Sequence, residues 1–441
     1  MILREAFSAW AKKTETAALL WSFALLFCLL CSYYILRPVR DEMGIQSGVK
    51  NLQWLFTATF AAMLAAIPAF GYITGRWRRS SVLTALCVFF SVVFAFFFLL
   101  FVNAVRPIAV AAMFFVWISV FNFFLTSTFW SFMADIFTSE QARRLYGSIA
   151  AGGSTGAIAG PMLTGGLVKI TGVPGLLLIS SAFLILAAFC IRRLNSWVEA
   201  YGSPERTQHD VALGGSIWDG VKLTFSSKYL LGIAGFVMLL SLLATFVYFD
   251  QVRIVGQTLP NPESRTQLFA KVDLAVNVLA LLAQLLVTKR FMARFGVGGL
   301  LFAILALNIV GFGWLALVPA LGALVAFQVL RRVSEFALIR PAREVLFTVV
   351  TREEEYKAKN FIDTVIYRGG DALTGWAIGG LQLLGIGIAI LSAIAIPFAV
   401  AAAVLGWRLG QMQACRSSAP ARLRRDSVVV TSLTPIRQEE G

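Results

Sequence analysis

Apolar runs alternate with short polar segments from Ala17 to Arg408, and each run is long enough for the roughly 20 residues a bilayer-spanning helix needs. The pattern predicts twelve transmembrane helices near 17–40, 51–75, 80–102, 107–135, 145–169, 173–192, 229–251, 267–289, 297–318, 320–340, 360–384 and 386–408. The polar stretch 193–228 separates a first six-helix bundle (1–192) from a second (229–408). Within that stretch, residues 216–226 mix apolar and polar positions and are expected to form an interfacial helix. Residues 409–441 carry Arg422, Arg424 and Arg425 among Ser, Pro and Thr, and are expected to form a disordered basic tail.

The two bundles repeat. At a constant offset of 213 residues, Arg40 falls on Arg253, Leu55-Phe56 on Leu268-Phe269, Arg76 on Lys289, Thr138 on Thr351, Glu140 on Glu353 and Gly156 on Gly369. An all-α membrane protein of two pseudo-symmetric six-helix bundles around a central cavity is the architecture of an alternating-access transporter.

Composition sharpens this reading. Of 441 residues, 58% are hydrophobic and 14% charged, against about 25% charged in soluble domains, so a soluble enzyme is excluded. The 38 Lys and Arg against 23 Asp and Glu give a net charge of +15. In a soluble domain that excess would suggest nucleic acid as a partner; here it is parcelled into loops, and no nucleic-acid partner is expected. One side holds Arg76, Arg78, Arg79, Arg143, Arg144, Arg192, Arg193, Arg206, Lys222, Lys228, Lys289, Arg290 and Arg294. It also takes the segment Arg331–Lys359 and the basic residues of both ends, while the other side holds only Arg37, Arg40, Lys50, Arg106, Lys169, Arg253, Arg265 and Lys271. That bias predicts cytoplasmic termini. The first apolar run ends at Arg37 without a small-residue cleavage site and is expected to be retained as a span. Five cysteines, mostly within apolar runs, suggest no disulfide framework, and Cys28 and Cys31 read as small packing residues. With His209 the single histidine, no metal site, triad or cofactor is expected.

Charges inside apolar runs are the informative positions, because each costs roughly 2.5–3.5 kcal/mol at mid-membrane on insertion scales. Three clusters stand out. At the end of the first span, Arg37 and Arg40 are three apart and share a helical face, and Pro38 between them is expected to kink or end the helix. Arg37 reads as a cation snorkelling to the interface with Asp41 as partner; Arg40, repeated in the second half, reads equally as a structural or a functional cation. The second cluster places Asp135 near the inner end of the fourth span, followed by Glu140, Arg143 and Arg144. Asp135 could face substrate, or bridge to Arg143 or Arg144 in an inner gate. The third is Arg340-Pro341-Ala342-Arg343-Glu344, then Lys359-Asn360-Phe361-Ile362-Asp363, then Arg368-Gly369-Gly370-Asp371. Arg368 and Asp371 are spaced to meet on one face, and a purely structural ion pair is the alternative to a binding site.

Gly71-Tyr-Ile-Thr-Gly-Arg-Trp-Arg-Arg79 partly resembles the loop motif of the major facilitator superfamily, without that motif's acid. A closer resemblance runs through Tyr34-Ile-Leu-Arg-Pro-Val-Arg-Asp41 and Phe129-Trp-Ser-Phe132, and continues in Glu140-Gln-Ala-Arg-Arg-Leu-Tyr146. It extends to Pro341-Ala-Arg-Glu344, Lys359-Asn-Phe-Ile-Asp363 and Arg368-Gly369. Together these segments resemble the nucleotide transporter family, the ATP/ADP translocases of plastids and energy-parasitic bacteria. The resemblance implies a twelve-helix exchanger that moves nucleotides without hydrolysing them. It places Arg40 where the family uses a cation, usually Lys, and Asp135 where it uses an acid. Asp371 lies where the family carries Lys, which marks the chain as a divergent bacterial member. The expected substrate residues are Arg40, Arg343, Arg368, Asp135, Asp363 and Asp371, and the expected gate residues are Glu140, Arg143, Arg144, Glu344 and Lys359. The expected protein is an inner-membrane secondary transporter of a small anionic substrate, with a proton-coupled facilitator of another metabolite or drug as the alternative.

Overall fold

A computed structural model describes residues 2–201 and 217–418. His209, Arg206 and the arginines of the 419–441 tail lie outside the described residues. The described chain is helical, with no strand among the described residues. Spans 1 to 4 are Ile2–Gln46, Leu52–Arg76, Arg79–Val102 and Pro107–Ile136. Spans 5 and 6 run as one helix, Ser139–Tyr201, broken at Gly172, whose φ of 67° and ψ of 175° reverse the chain. Span 7 is Lys228–Thr258. Span 8 begins as Pro262–Ala283 and passes through a π-turn, Gln284–Thr288; Gly296 (φ 63°) then separates it from span 9, which ends at Leu317. Span 10 is Leu321–Ser334, a π-turn at Glu335–Ile339, then Arg340–Phe347. Span 11 is Arg352–Phe361, a π-turn at Ile362–Ile366, then Tyr367–Leu383; span 12 is Ile388–Ser418.

Several helices outlast their apolar runs. Span 1 passes straight through Pro38 to Gln46 instead of ending there, span 10 continues to Phe347, and the last helix extends to Ser418, beyond the expected end at 408. The short helix Ile217–Ser226 docks on the start of span 11: buried Gly220 lies so close to the Lys357 carbonyl that an added Cβ would sit 2.6 Å from it. The helix expected at the interface is thus also in contact with the protein.

The buried apolar side chains form two cores. One joins spans 1 and 3–6; the other joins spans 7–12 and draws in Leu52 and Phe56 of span 2. Within a membrane, helices gain from close approach rather than from escaping water. Gly152, Gly156 and Gly160 on span 5 supply that approach to span 1. A Cβ on Gly152 would meet the Phe23 carbonyl at 2.5 Å, on Gly156 the Phe27 carbonyl at 2.5 Å, and on Gly160 the Cys31 carbonyl at 2.9 Å. Thr164 Oγ1 donates to the Ile35 carbonyl (3.0 Å), and Ser32 and Ser180 hydroxyls meet at 2.7 Å. Span 1 is thereby fixed along its length, with the Arg37 and Arg40 face left free. The cysteines Cys28, Cys31, Cys87 and Cys190 are buried and free.

Candidate functional site

Between the two halves lies a cavity of about 720 Å³. Seven arginines line it: Arg37 and Arg40 from span 1, Arg331, Arg332, Arg340 and Arg343 from span 10, and Arg368 from span 11. Five carboxylates stand among them, Asp41, Glu335, Glu344, Asp363 and Asp371. Tyr33, Tyr34, Phe56, Tyr248 and Tyr367 add ring surface, and Asn122, Thr126, Thr245, Gln251 and Gln328 add neutral polar groups.

Local structure explains this convergence. Tyr33, Arg37 and Arg40 recur at the three- and four-residue spacing of one helical face. On span 10 the lining stripe runs from Gln328 to Glu344. A regular helix would make about 4.4 turns over that stretch and leave its ends on nearly opposite faces. The π-turn Glu335–Ile339 absorbs an extra residue and keeps both ends facing inward. The π-turn Ile362–Ile366 likewise carries Asp363 on span 11.

The charges are paired, unevenly. In the second half, Arg343 reaches Asp363 at 3.1 Å, Arg331 reaches Glu335 at 3.3 Å and Arg340 reaches the same Glu335 at 3.8 Å. Asp371 is buried and takes Ser241 Oγ at 2.6 Å, Thr245 Oγ1 at 3.1 Å and Arg368 Nη1 at 3.3 Å. Arg40 makes a long contact to Asp41, 3.7 Å, faces the Tyr248 side chain, and lies 4.5 Å above the Phe115 ring. At the seam, buried Asp273 of span 8 holds Arg332 at 2.6 Å and Arg37 from the other half at 3.6 Å. Even so, the Nε groups of Arg40, Arg331, Arg332 and Arg343, and Nη2 of Arg332, are buried without a hydrogen-bond partner. Asp363 Oδ1 and Asp273 Oδ2 are likewise buried without one, so donors and acceptors alike are left unmade around the chamber, which is costly.

The cavity opens toward the side that carries the chain ends. Side-chain exposure falls from 59% at Arg340 and 51% at Glu344 to 18% at Arg40 and 11% at Asp41. On the far side the halves meet. Tyr248 packs against Phe56 and Phe115 with ring centroids 5.6 and 6.1 Å apart, Arg265 pairs with fully buried Glu42 at 3.3 Å, and Trp54 meets Trp376 at 4.8 Å. Gln267 Nε2 donates to the Gly165 carbonyl at 3.0 Å.

Of the residues expected to touch substrate, Arg40, Arg343, Arg368, Asp363 and Asp371 come together in this cavity. Asp135 does not. It pairs with Arg79 at 2.7 Å rather than with Arg143 or Arg144, outside the cavity lining, with 41% of its side chain exposed. Among the expected gate residues, Glu344 lines the cavity and pairs with Lys359 within the second half. Arg144 pairs with Glu15 at 3.0 Å within the first half, and Glu140 and Arg143 are exposed. In this conformation none of these pairs bridges the halves, as an opening on their side requires.

Arg37, expected to snorkel, instead lines the cavity, because span 1 continues for more than two turns past it. Its three-residue spacing from Arg40 was the available signal. The charge bias groups Arg331, Arg332, Glu335 and Arg340 with an inner segment, yet they fall within the expected span 320–340 and line the cavity. Asp273 was legible as an acid deep in an apolar run; its partners, 236 residues upstream and 59 downstream, were not.

The family model of the Major Facilitator Superfamily matches residues 20–350. No curated protein sequence matches the chain. Solved structures do. A bacterial homologue of the iron transporter ferroportin, in an inward-facing state, aligns with TM-score 0.66 at 12% identity over 90% of this chain and 98% of its own. The nucleoside transporter NupG aligns with TM-score 0.59 at 15% identity over 92% and 100%, and the POT family transporter PepTSo with 0.61 at 12% over 90% and 98%. At these identities the likeness establishes the fold, two six-helix halves about a central cavity. The chain belongs to the Major Facilitator Superfamily and is a multi-pass membrane transporter of small molecules.

Proposed function

We propose that this transporter exchanges nucleotides or related phosphorylated anions across a bacterial inner membrane, with both termini in the cytoplasm. The observation that carries the reading is the cavity itself: seven guanidiniums against five carboxylates, with buried N–H donors lacking acceptors. Guanidinium offers a planar fork that matches phosphate oxygens, and charge-assisted bonds of this kind contribute roughly 1.5–3 kcal/mol each. Tyr33, Tyr34 and Phe56 supply rings against which a base could stack. The resemblance of the Arg37–Arg40 and Arg340–Asp371 segments to nucleotide translocases supports the same class, and NupG, a nucleoside transporter, shares the fold.

The mechanism exchanges partners. In this conformation Asp363, Asp371 and Glu335 hold Arg343, Arg368, Arg331 and Arg340. An incoming phosphoryl group competes with these carboxylates for Arg40, Arg343 and Arg368. Closing an empty, net cationic chamber strands charge in low dielectric, whereas cargo neutralises it. Cargo therefore favours the rocking of the halves, and an empty return is disfavoured, which is exchange. No bond in the cargo is made or broken.

The test is flux in proteoliposomes containing the full chain. ADP loaded inside is expected to accelerate entry of labelled ATP severalfold. Acceleration by an inward proton gradient without counter-substrate would overturn exchange and favour proton coupling, with cavity residues Asp363 and Asp371 as candidate proton carriers. Silence with every phosphorylated anion and ion gradient would overturn both.

A further inference from the structure

A second large concavity, about 810 Å³, lies away from the cargo chamber, between spans 2 and 4 on the side opposite the chain ends. Its walls are apolar. Trp54, Ile108 and Met113 line it, each more than half exposed, together with Trp117. Water gains nothing there, and an unfilled apolar trench forfeits dispersion contacts. In a bilayer, acyl chains are the natural filling.

The rim distinguishes this groove from an ordinary lipid-facing surface. Arg106 lines it and precedes the first residue of span 4 with a left-handed backbone (φ 38°, ψ 64°). Ala104, in the same connection, is also left-handed (φ 49°). Lys50, in the turn that supplies the rim residue Asn51, is exposed. Among the described residues, no carboxylate pairs with Arg106 or Lys50. Two unpaired cations above an apolar trench complement one ligand class, an amphiphile with an anionic head.

We propose that this groove binds an anionic phospholipid, its phosphate on Arg106 and its chains along Trp54 and Trp117. The site also adjoins the seam between the halves. Trp54 packs edge-on to Trp376 of span 11, whose Nε1 donates to Thr57 Oγ1 at 3.0 Å. A seated lipid therefore braces span 2 against span 11 while the cargo chamber is open on the other side.

The test uses the full chain in phosphatidylcholine vesicles containing brominated-chain phosphatidylglycerol or, at the same fraction, brominated-chain phosphatidylcholine. Tryptophan fluorescence is expected to be quenched severalfold more by the anionic lipid. That excess is expected to vanish in Arg106→Gln, persist in Arg106→Lys, and vanish when Trp54 and Trp117 are both replaced by Phe. Equal quenching by the two lipids in the unaltered protein overturns the proposal, since apolar filling alone would then account for the groove. So does an excess that survives Arg106→Gln, or protection of both tryptophans by self-association without regard to lipid charge. Should Arg106→Gln fail to insert, the Trp54→Phe/Trp117→Phe protein decides the matter: an undiminished excess would place the lipid elsewhere.

Discussion

The two halves descend from one pattern, repeated at 213 residues, yet they hold the cavity's charge in different ways. The first half commits a single helix, span 1, with Arg37, Arg40 and Asp41 on one face. That helix is regular throughout and is clamped by the glycines of span 5. The second half spreads five arginines and four carboxylates over spans 10 and 11, and both of those helices contain a π-turn at the cavity; a third π-turn interrupts span 8. Among the described residues the first half has none. The first half thus presents its cations from one unbroken helix, and the second from helices with π-turns; we take the first as the stiffer partner and the second as the one whose ion pairs exchange. π-turns are costly irregularities that cluster at functional sites, and their confinement to one half locates the adjustable part of the machine.

The largest effects test the charges. Arg40→Ala removes a cation for which the first half has only Arg37 as a substitute, and uptake is expected to fall to background with membrane insertion intact. Arg368→Ala is expected to do the same for a different reason: it leaves Asp371 buried with only Ser241 and Thr245 as donors, and an uncompensated buried carboxylate is destabilising. Adding Asp371→Asn to that variant is expected to restore thermal stability but not uptake. Uptake by either single variant at the unaltered rate would sink the assignment of these guanidiniums to cargo.

Stiffness is tested at two glycines that the repeat relates. A Cβ at Gly156 would strike the Phe27 carbonyl and come within 3.0 Å of the Cys31 amide, neither of which can yield without moving span 1. Gly156→Ala is expected to destabilise the protein by about 1–3 kcal/mol. At Gly369 the added Cβ would meet only the Phe60 ring, at 3.7 Å. Gly369→Ala is expected to be neutral or slightly stabilising, because alanine is favoured over glycine within helices by up to about 1 kcal/mol. Equal losses in thermal unfolding would show that the two halves are clamped alike.

A smaller effect is expected at Ser241, whose hydroxyl lies 2.6 Å from Asp371 and 2.7 Å from the Tyr367 carbonyl. Ser241→Ala frees Asp371 to compete more strongly with cargo for Arg368. The loss is expected to be about 1 kcal/mol, or about fivefold in apparent affinity, with the maximal exchange rate little changed. A drop in maximal rate at unchanged affinity would place Ser241 in the moving parts instead.

How much of this was legible follows from where each signal resides. The number and order of the helices could be read because a bilayer demands unbroken apolar runs. Helix lengths could not, since a helix continues past the hydrocarbon at little cost; hence span 10 carries Arg343 and Glu344 inside a helix that hydropathy ends near 340. Pro38 misled for a related reason. A proline removes one hydrogen bond, but span 1 is held just before it by span 5, through Thr164 and the Ile35 carbonyl, and runs on, so Arg37 remains within the chamber. Charges in apolar runs flagged Arg40, Arg368 and Asp371, and all three line the cavity. Pairings across the fold, such as Arg37 with Asp273, depend on tertiary approach and leave no mark in the local sequence.

Asp135 supplies the smallest effect and the sharpest use of the comparison. Its sequence neighbours Arg143 and Arg144 suggested a gate, but Arg144 is taken by Glu15, which also receives Gln141 Nε2 at 2.9 Å. Arg79, 56 residues upstream, reaches Asp135 because spans 3 and 4 pack side by side, and its guanidinium also donates to the Ser131 carbonyl at 3.2 Å. The pair is part-exposed, 24% and 41%, so solvent screens it, and such pairs contribute about 0–1 kcal/mol. Within a stiff half that stays assembled while the other adjusts, Asp135→Asn is expected to leave cargo affinity unchanged and to slow exchange by less than about fivefold. Were it instead to abolish cargo binding measured at equilibrium, Asp135 would have to enter the chamber in another conformation. The first half could not then be the rigid partner, and the division of labour between the halves would have to be reversed.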